Sequence, residues 1–206
     1  MKRNVFTLVV VLALGGGLGV ATSALAEEKT TCSLSVSPQK ADSKMTKSGG
    51  GSKGRGSSSS TVTFERNLKY KATASFHGPA PEKPVMKVWY IGMGDGGKEM
   101  LEVGKEERQL ELNEKGRAVV ELTSPTTKLT KVKTTTQSGG GNSRYGGGSS
   151  STKSTMSGER VTGCVIQVLA NGELMKSWVS DSRWSKAARN ASFAFEMIDP
   201  KAAKKK

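Results

Sequence analysis

Cys32 and Cys164 are the side chains of this 206-residue sequence best suited to covalent chemistry. No Cys-x-x-Cys spacing lowers the pKa of either thiol, so a redox-active pair is not expected. A structural cross-link is expected instead, because residues 1–26 read as an export signal and an exported chain meets an oxidising compartment. A Cys32–Cys164 disulfide closing a loop of over a hundred residues would contribute about 4–5 kcal/mol through the unfolded chain.

Other reactive constellations are weak. His77 is the only histidine and stands beside Gly78-Pro79, so it cannot join a multi-histidine metal set, and no Gly-x-Ser-x-Gly elbow accompanies it. Gly92, Gly94, Gly96 and Gly97 follow an apolar run with the look of a phosphate-binding loop. Such a loop must open a helix, and Lys98 to Val103 is short and stopped by Gly104, so a hairpin turn is expected. Paired carboxylates leave no spacing signature, which keeps a hydrolase as the third functional reading. No cofactor or metal ligand set is assigned. Trp89 is read as core, while Trp178 and Trp184 are the candidate anchors for a partner.

The export signal itself has three parts. Lys2 and Arg3 make a basic start, Val5 to Leu14 an apolar stretch loosened by three glycines, and Ala24-Leu25-Ala26 a small-residue cleavage site. The expected location is therefore the periplasm, the cell surface or the medium, with no membrane-spanning segment once the signal is removed.

Charge divides the rest of the chain. The full sequence carries 32 basic and 18 acidic residues, for a net +14. Residues 43–60 hold Lys44, Lys47, Lys53 and Arg55; residues 124–158 hold Lys128, Lys131, Lys133, Arg144 and Lys153; the tail 201–206 holds Lys201, Lys204, Lys205 and Lys206. None of these segments contains an acid, and the first two are dense in glycine and serine. With almost nothing apolar to offset the entropy of ordering them, both are expected to be flexible insertions in one domain spanning residues 27–200. Lys53, Arg55, Lys131, Lys133, Arg144, Lys153, Lys204, Lys205 and Lys206 are the candidate polyanion contacts.

Between the tracts the dominant period is two. Val62, Phe64, Leu68, Tyr70, Ala72, Ala74 and Phe76 alternate with polar residues, as do Cys32, Leu34 and Val36. Val85–Ile91, Met100–Val103, Gln109–Leu112 and Ala118–Leu122 read as further short strands. Asn171-Gly172 marks a tight hairpin between 161–169 and 174–179. A short helix capped at Asp181 or Ser182 runs to about Ala188, and Phe193, Phe195 and Met197 read as a last strand.

Seven to eight strands, one short helix and two Gly/Ser-rich loops define an all-β sandwich. With Trp89 in the third strand and paired strands after the second tract, residues 31–199 resemble the immunoglobulin-like and fibronectin-like modules of bacterial envelope proteins, some pilus-associated. With neither a metal set nor a nucleophile constellation visible, the expected function is a non-enzymatic envelope module that binds a protein partner or a second copy of itself. The alternative is a binder of anionic glycan or lipid through the basic loops. Nucleic acid is disfavoured because only Tyr145 is interleaved with the charges of a tract for base stacking.

Overall fold

The computed structural model describes residues 29–50, 57–94, 97, 99–138 and 149–199. Residues 1–26, expected to be an export signal, and the basic tail lie outside the described residues. The alternating segments form eleven strands in chain order: β1 Thr31–Gln39, β2 Ser43–Gly50, β3 Ser58–Arg66, β4 Lys69–His77, β5 Val85–Gly94, β6 Glu99–Gln109, β7 Arg117–Thr123, β8 Thr127–Ser138, β9 Ser149–Gly158, β10 Arg160–Ala170 and β11 Glu173–Val179. All pairings are antiparallel, in sheets of order β1-β4-β7, β11-β10-β5-β6 and β2-β3-β8-β9. No helix of the described residues is long and apolar enough to cross a membrane.

The first two sheets enclose the main core. Cys32, Leu34 and Val36 lie opposite Phe76, Ala74 and Ala72, which in turn share their face with Ala118, Val120 and Leu122. From the second sheet come Met86, Val88, Tyr90, Cys164, Ile166 and Val168. Each fully buried Val, Ile or Met of this set contributes about 1.5–3 kcal/mol of transfer free energy.

β5 and β10 are buried on both faces, as the near-continuous apolar runs Val88–Ile91 and Cys164–Val168 require. Their outward residues Trp89, Ile91 and Val165 join Trp184, Ala188, Phe193 and Phe195 in a second cluster under the C-terminal segment. Gln167 ties that segment down: its fully buried Nε2 donates to Ala188 O at 2.8 Å and Asn190 O at 2.7 Å, holding the helix α1 (Ser185–Ala188). Asn171 and Gly172 have φ of 53° and 83°, the pair of left-handed residues that the β10–β11 hairpin needs.

Several expectations are corrected. The described strands number eleven where seven or eight were expected. Met100–Val103 and Gln109–Leu112 are not separate strands; β6 runs through Gly104, whose missing Cβ leaves room for Pro125, 2.7 Å from where that atom would lie. Phe195–Met197 is a 3-10 turn instead of a final strand, because Phe193 and Phe195 both reach the outer cluster and no neighbouring strand is paired to them.

The largest correction concerns the two tracts, which supply the third sheet. Their described residues are four strands, with only the connections 51–56 and 139–148 outside the described residues. Threonine and valine make this possible. Thr61-Val62-Thr63-Phe64 is β-branched or aromatic throughout and Leu129-Thr130-Lys131-Val132 at every second position, and such residues favour extended backbone even when little is buried. Ser58 lies opposite Thr135 while Ser138 lies opposite Ser149, so both hairpin connections leave the same end of this sheet. We refer to it as the arm.

Candidate binding face on the arm

The arm continues the body. β1 leads into β2, β3 into β4, β7 into β8 and β9 into β10 across short connections. At that junction the backbone ladder is interrupted, and buried side chains satisfy the orphaned groups. Ser124 Oγ accepts from Leu68 N at 2.9 Å; Thr127 Oγ1 donates to Arg66 O at 3.1 Å and accepts from Val161 N at 3.0 Å. Asn67 Oδ1 accepts from Asp42 N at 2.9 Å and its amide donates to the Asp42 carboxylate at 3.2 Å. Hydrogen bonds from Lys69 and Asn67 hold the Asp42 carboxyl below its ordinary range. Asn67, Ser124 and Thr127 are three of the four buried polar residues of the described chain, so the arm is fastened and not hung on a tether.

Directly opposed residues of an antiparallel ladder share a face. One face of the arm carries a row Met45, Phe64, Leu129, then a row Lys47, Val62, Lys131, Met156, then Lys133. The reverse face carries Thr46, Thr63, Thr130 and Ser157, then Ser48, Thr61, Val132 and Thr155. Met45 is 54%, Phe64 40% and Met156 44% exposed, three of the five exposed large hydrophobics among the described residues, and all three fall on the first face. Their clustering separates them from the scattered surface apolars common to soluble proteins.

Val62 and Phe64 keep the even-numbered period of the core residues Leu68, Tyr70, Ala72, Ala74 and Phe76. The apolar pattern of the core strand therefore runs on into the arm, where Phe64 is exposed. At the base of the face a cleft of about 580 Å³ is lined by Met45, Phe64, Leu129, Arg66, Glu159 and Arg160, within the range of about 300–1,000 Å³ usual for ligand sites. Gly158, with φ +99°, lets the chain cross from β9 into β10 beside it.

Charge on the arm is one-sided. Its strands carry Lys44, Lys47, Arg66, Lys128, Lys131, Lys133 and Lys153 against Glu65, which pairs with Lys128 at 3.8 Å on the reverse face. The connections add Lys53, Arg55 and Arg144 to the sequence and no acid.

The sequence candidates are dispersed by this arrangement. Lys131 and Lys133 are exposed neighbours on the apolar face, and Lys153 is exposed on the reverse one. Lys53, Arg55, Arg144, Lys204, Lys205 and Lys206 lie outside the described residues. Trp184 is only 6% exposed, in the outer cluster, so it is not an available anchor. Trp178 is half-buried, edge-on to Tyr70 at 5.8 Å. Trp89 packs edge-on against Phe193 at 4.8 Å. Met45, Leu129 and Met156 are site residues that the sequence reading misses; their signal is the isolation of bulky apolar side chains within Ser/Thr/Lys/Gly sequence.

The expected disulfide is also corrected: Cys32 and Cys164 are free thiols. Cys164 lies beside the Tyr70 side chain, and Tyr70 is paired with Pro38, whereas Cys32 is paired with Phe76. Six residues separate Tyr70 from Phe76 along β4, about 20 Å at 3.3 Å per residue, and a disulfide needs Cα atoms within about 7 Å. Burial pushes the Cys164 thiol up to about 12, and burial also raises Cys32 against the opposing charge of Lys176. Neither is a thiolate nucleophile near neutral pH.

Compared with protein families, with characterised proteins and with solved structures, the chain finds no match.

Proposed function

We propose that the protein is an exported, non-enzymatic module of the bacterial envelope, an immunoglobulin-like sandwich that holds a protein partner on its arm. The exposed apolar and basic face of the arm carries this reading. The sheet orders support the immunoglobulin-like part: with β1, β4, β5, β6, β7, β10 and β11 taken as strands A, B, C, C′, E, F and G, they become A-B-E and G-F-C-C′.

Self-association through the arm edges is the poorer form of this reading. β2 and β9 are the outer strands, and Lys44, Lys47 and Lys153 would meet like charge in edge-to-edge pairing. Lysine on an edge strand is a known protection against such pairing.

A photocrosslinking residue in place of Ser60, exposed on the arm face, is expected to capture one discrete protein species in the native envelope. The same residue at Val119, 53% exposed on the body, is expected to capture none. Capture from Val119 alone, or equally from both, would place the contact elsewhere.

The second reading, a polyanion binder, is favoured by the seven-to-one charge balance of the arm strands. Salt separates the two. Contacts made by lysines alone weaken steeply with ionic strength and are lost at high salt, whereas an interface that adds Met45 and Phe64 to its lysine contacts weakens less and keeps an apolar, salt-resistant part of its affinity.

A further inference from the structure

Resting on the protein-binding reading above, we infer that the partner lays an extended acidic segment along β3, with an apolar anchor in the cleft at the base of the arm. The pattern on the face dictates the pattern of the segment. Leu129, Lys131 and Lys133 follow one another at every second residue of β8, about 6.6 Å apart along the strand. An extended segment repeats its own side chains on one side at the same spacing. Its complement therefore reads apolar-x-acidic-x-acidic, with the apolar residue at the level of Leu129, Phe64 and Met45.

The two flanks agree. Lys47 on β2 and Lys131 on β8 stand either side of Val62, each about 4.8 Å from it, so carboxylates of a segment over β3 find cations on both sides. Arg66 and Arg160 line the cleft beside Glu159. A flat bilayer uses neither a bounded cleft nor a two-residue repeat, which is why a polypeptide is the better occupant. Polyanions without an apolar side chain would leave Met45, Phe64 and Met156 in water.

The test uses the mature chain with carbon-labelled methionine and leucine methyl groups and nitrogen-labelled amides. The probe is the palindromic peptide Asp-Thr-Asp-Thr-Phe-Thr-Asp-Thr-Asp, which presents the pattern in either direction. It is expected to shift the Met45, Met156 and Leu129 methyls and the Lys131 and Lys133 amides, saturating below about 1 mM. Serine in place of its Phe should weaken binding at least about tenfold, since the cleft loses its anchor. Lys131→Glu with Lys133→Glu should do likewise, at an unchanged melting temperature because both side chains are exposed.

An unmoved Leu129 methyl with the probe overturns the inference. So does equal binding of the serine peptide, which would mean charge alone, or shifts induced only by phosphatidylserine vesicles, which would mean a membrane. Failure of the probe together with a protein cross-link from Ser60 would sink this segment chemistry while leaving the protein-binding reading in place.

Discussion

Trp184→Ala is expected to lower the stability of the protein by about 3–5 kcal/mol, the usual cost of truncating a buried aromatic side chain. Trp184 is 6% exposed and shares a cluster with Trp89, Ile91, Val165 and Phe193. Its ring rests on β10, with Cζ3 3.2 Å from where a Cβ of Gly163 would stand, so the glycine itself has no side chain with which to fill the space. Thermal unfolding followed by circular dichroism should show a midpoint lower by on the order of 10 °C. Below that midpoint, binding at the arm should be preserved, because the cluster packs under the second sheet and none of its members lines the arm face. An exposed partner anchor would behave in the opposite way, with binding lost at an unchanged midpoint.

Gly158→Val is expected to lift β9 off β8. The residue has φ +99°, a region in which a β-branched side chain is strained, and its Cβ would stand 2.3 Å from Lys128 O. That carbonyl also accepts from Glu159 N at 3.0 Å, and the backbone cannot relieve the clash without giving up that bond. Strain and overlap together cost about 2–4 kcal/mol. Amides of β9 should then exchange at least about thirty-fold faster, while the methyl resonances of Val88, Ile166 and Val168 stay in place. A flexible insertion would tolerate the same substitution without consequence, since loop residues away from any contact shift stability by no more than about 0.5 kcal/mol.

How far the sequence could be read depended on what each segment buries. β4 was legible because Tyr70, Ala72, Ala74 and Phe76 alternate into a core, and the β10–β11 hairpin because Asn171-Gly172 is one of few pairs at ease with two positive φ angles. The arm was illegible for the converse reason. Its outer strands bury little, so a reading by hydrophobic period finds in them only the single methionines Met45 and Met156 among Ser, Thr, Lys and Gly, although Val62 and Phe64 of β3 do keep the period. What orders it is β-branched backbone preference together with the pairing of one hairpin to the other through β3 and β8, a contact between segments far apart in sequence.

The shared glycine and serine of the two tracts point to flexible insertions; in the fold the described parts of the tracts are two hairpins of one sheet. Trp184 was misplaced because a short helix after the last long strand looks like surface when the outer face of the second sheet is not known to need cover. The thiols were paired on compartment alone, and the register of β1 against β4 decides otherwise.

Amide hydrogen exchange in β3 and β8 tests the ordered arm most directly. Both are inner strands, with β2 and β9 outside them, so the amides of Thr61, Thr63, Thr130, Val132 and Thr134 each face a neighbouring strand. They are expected to exchange at least about a hundred-fold slower than an unstructured chain of the same sequence. Exchange of these five amides at the unstructured rate, with the body amides of β5 and β10 still protected, would contradict it.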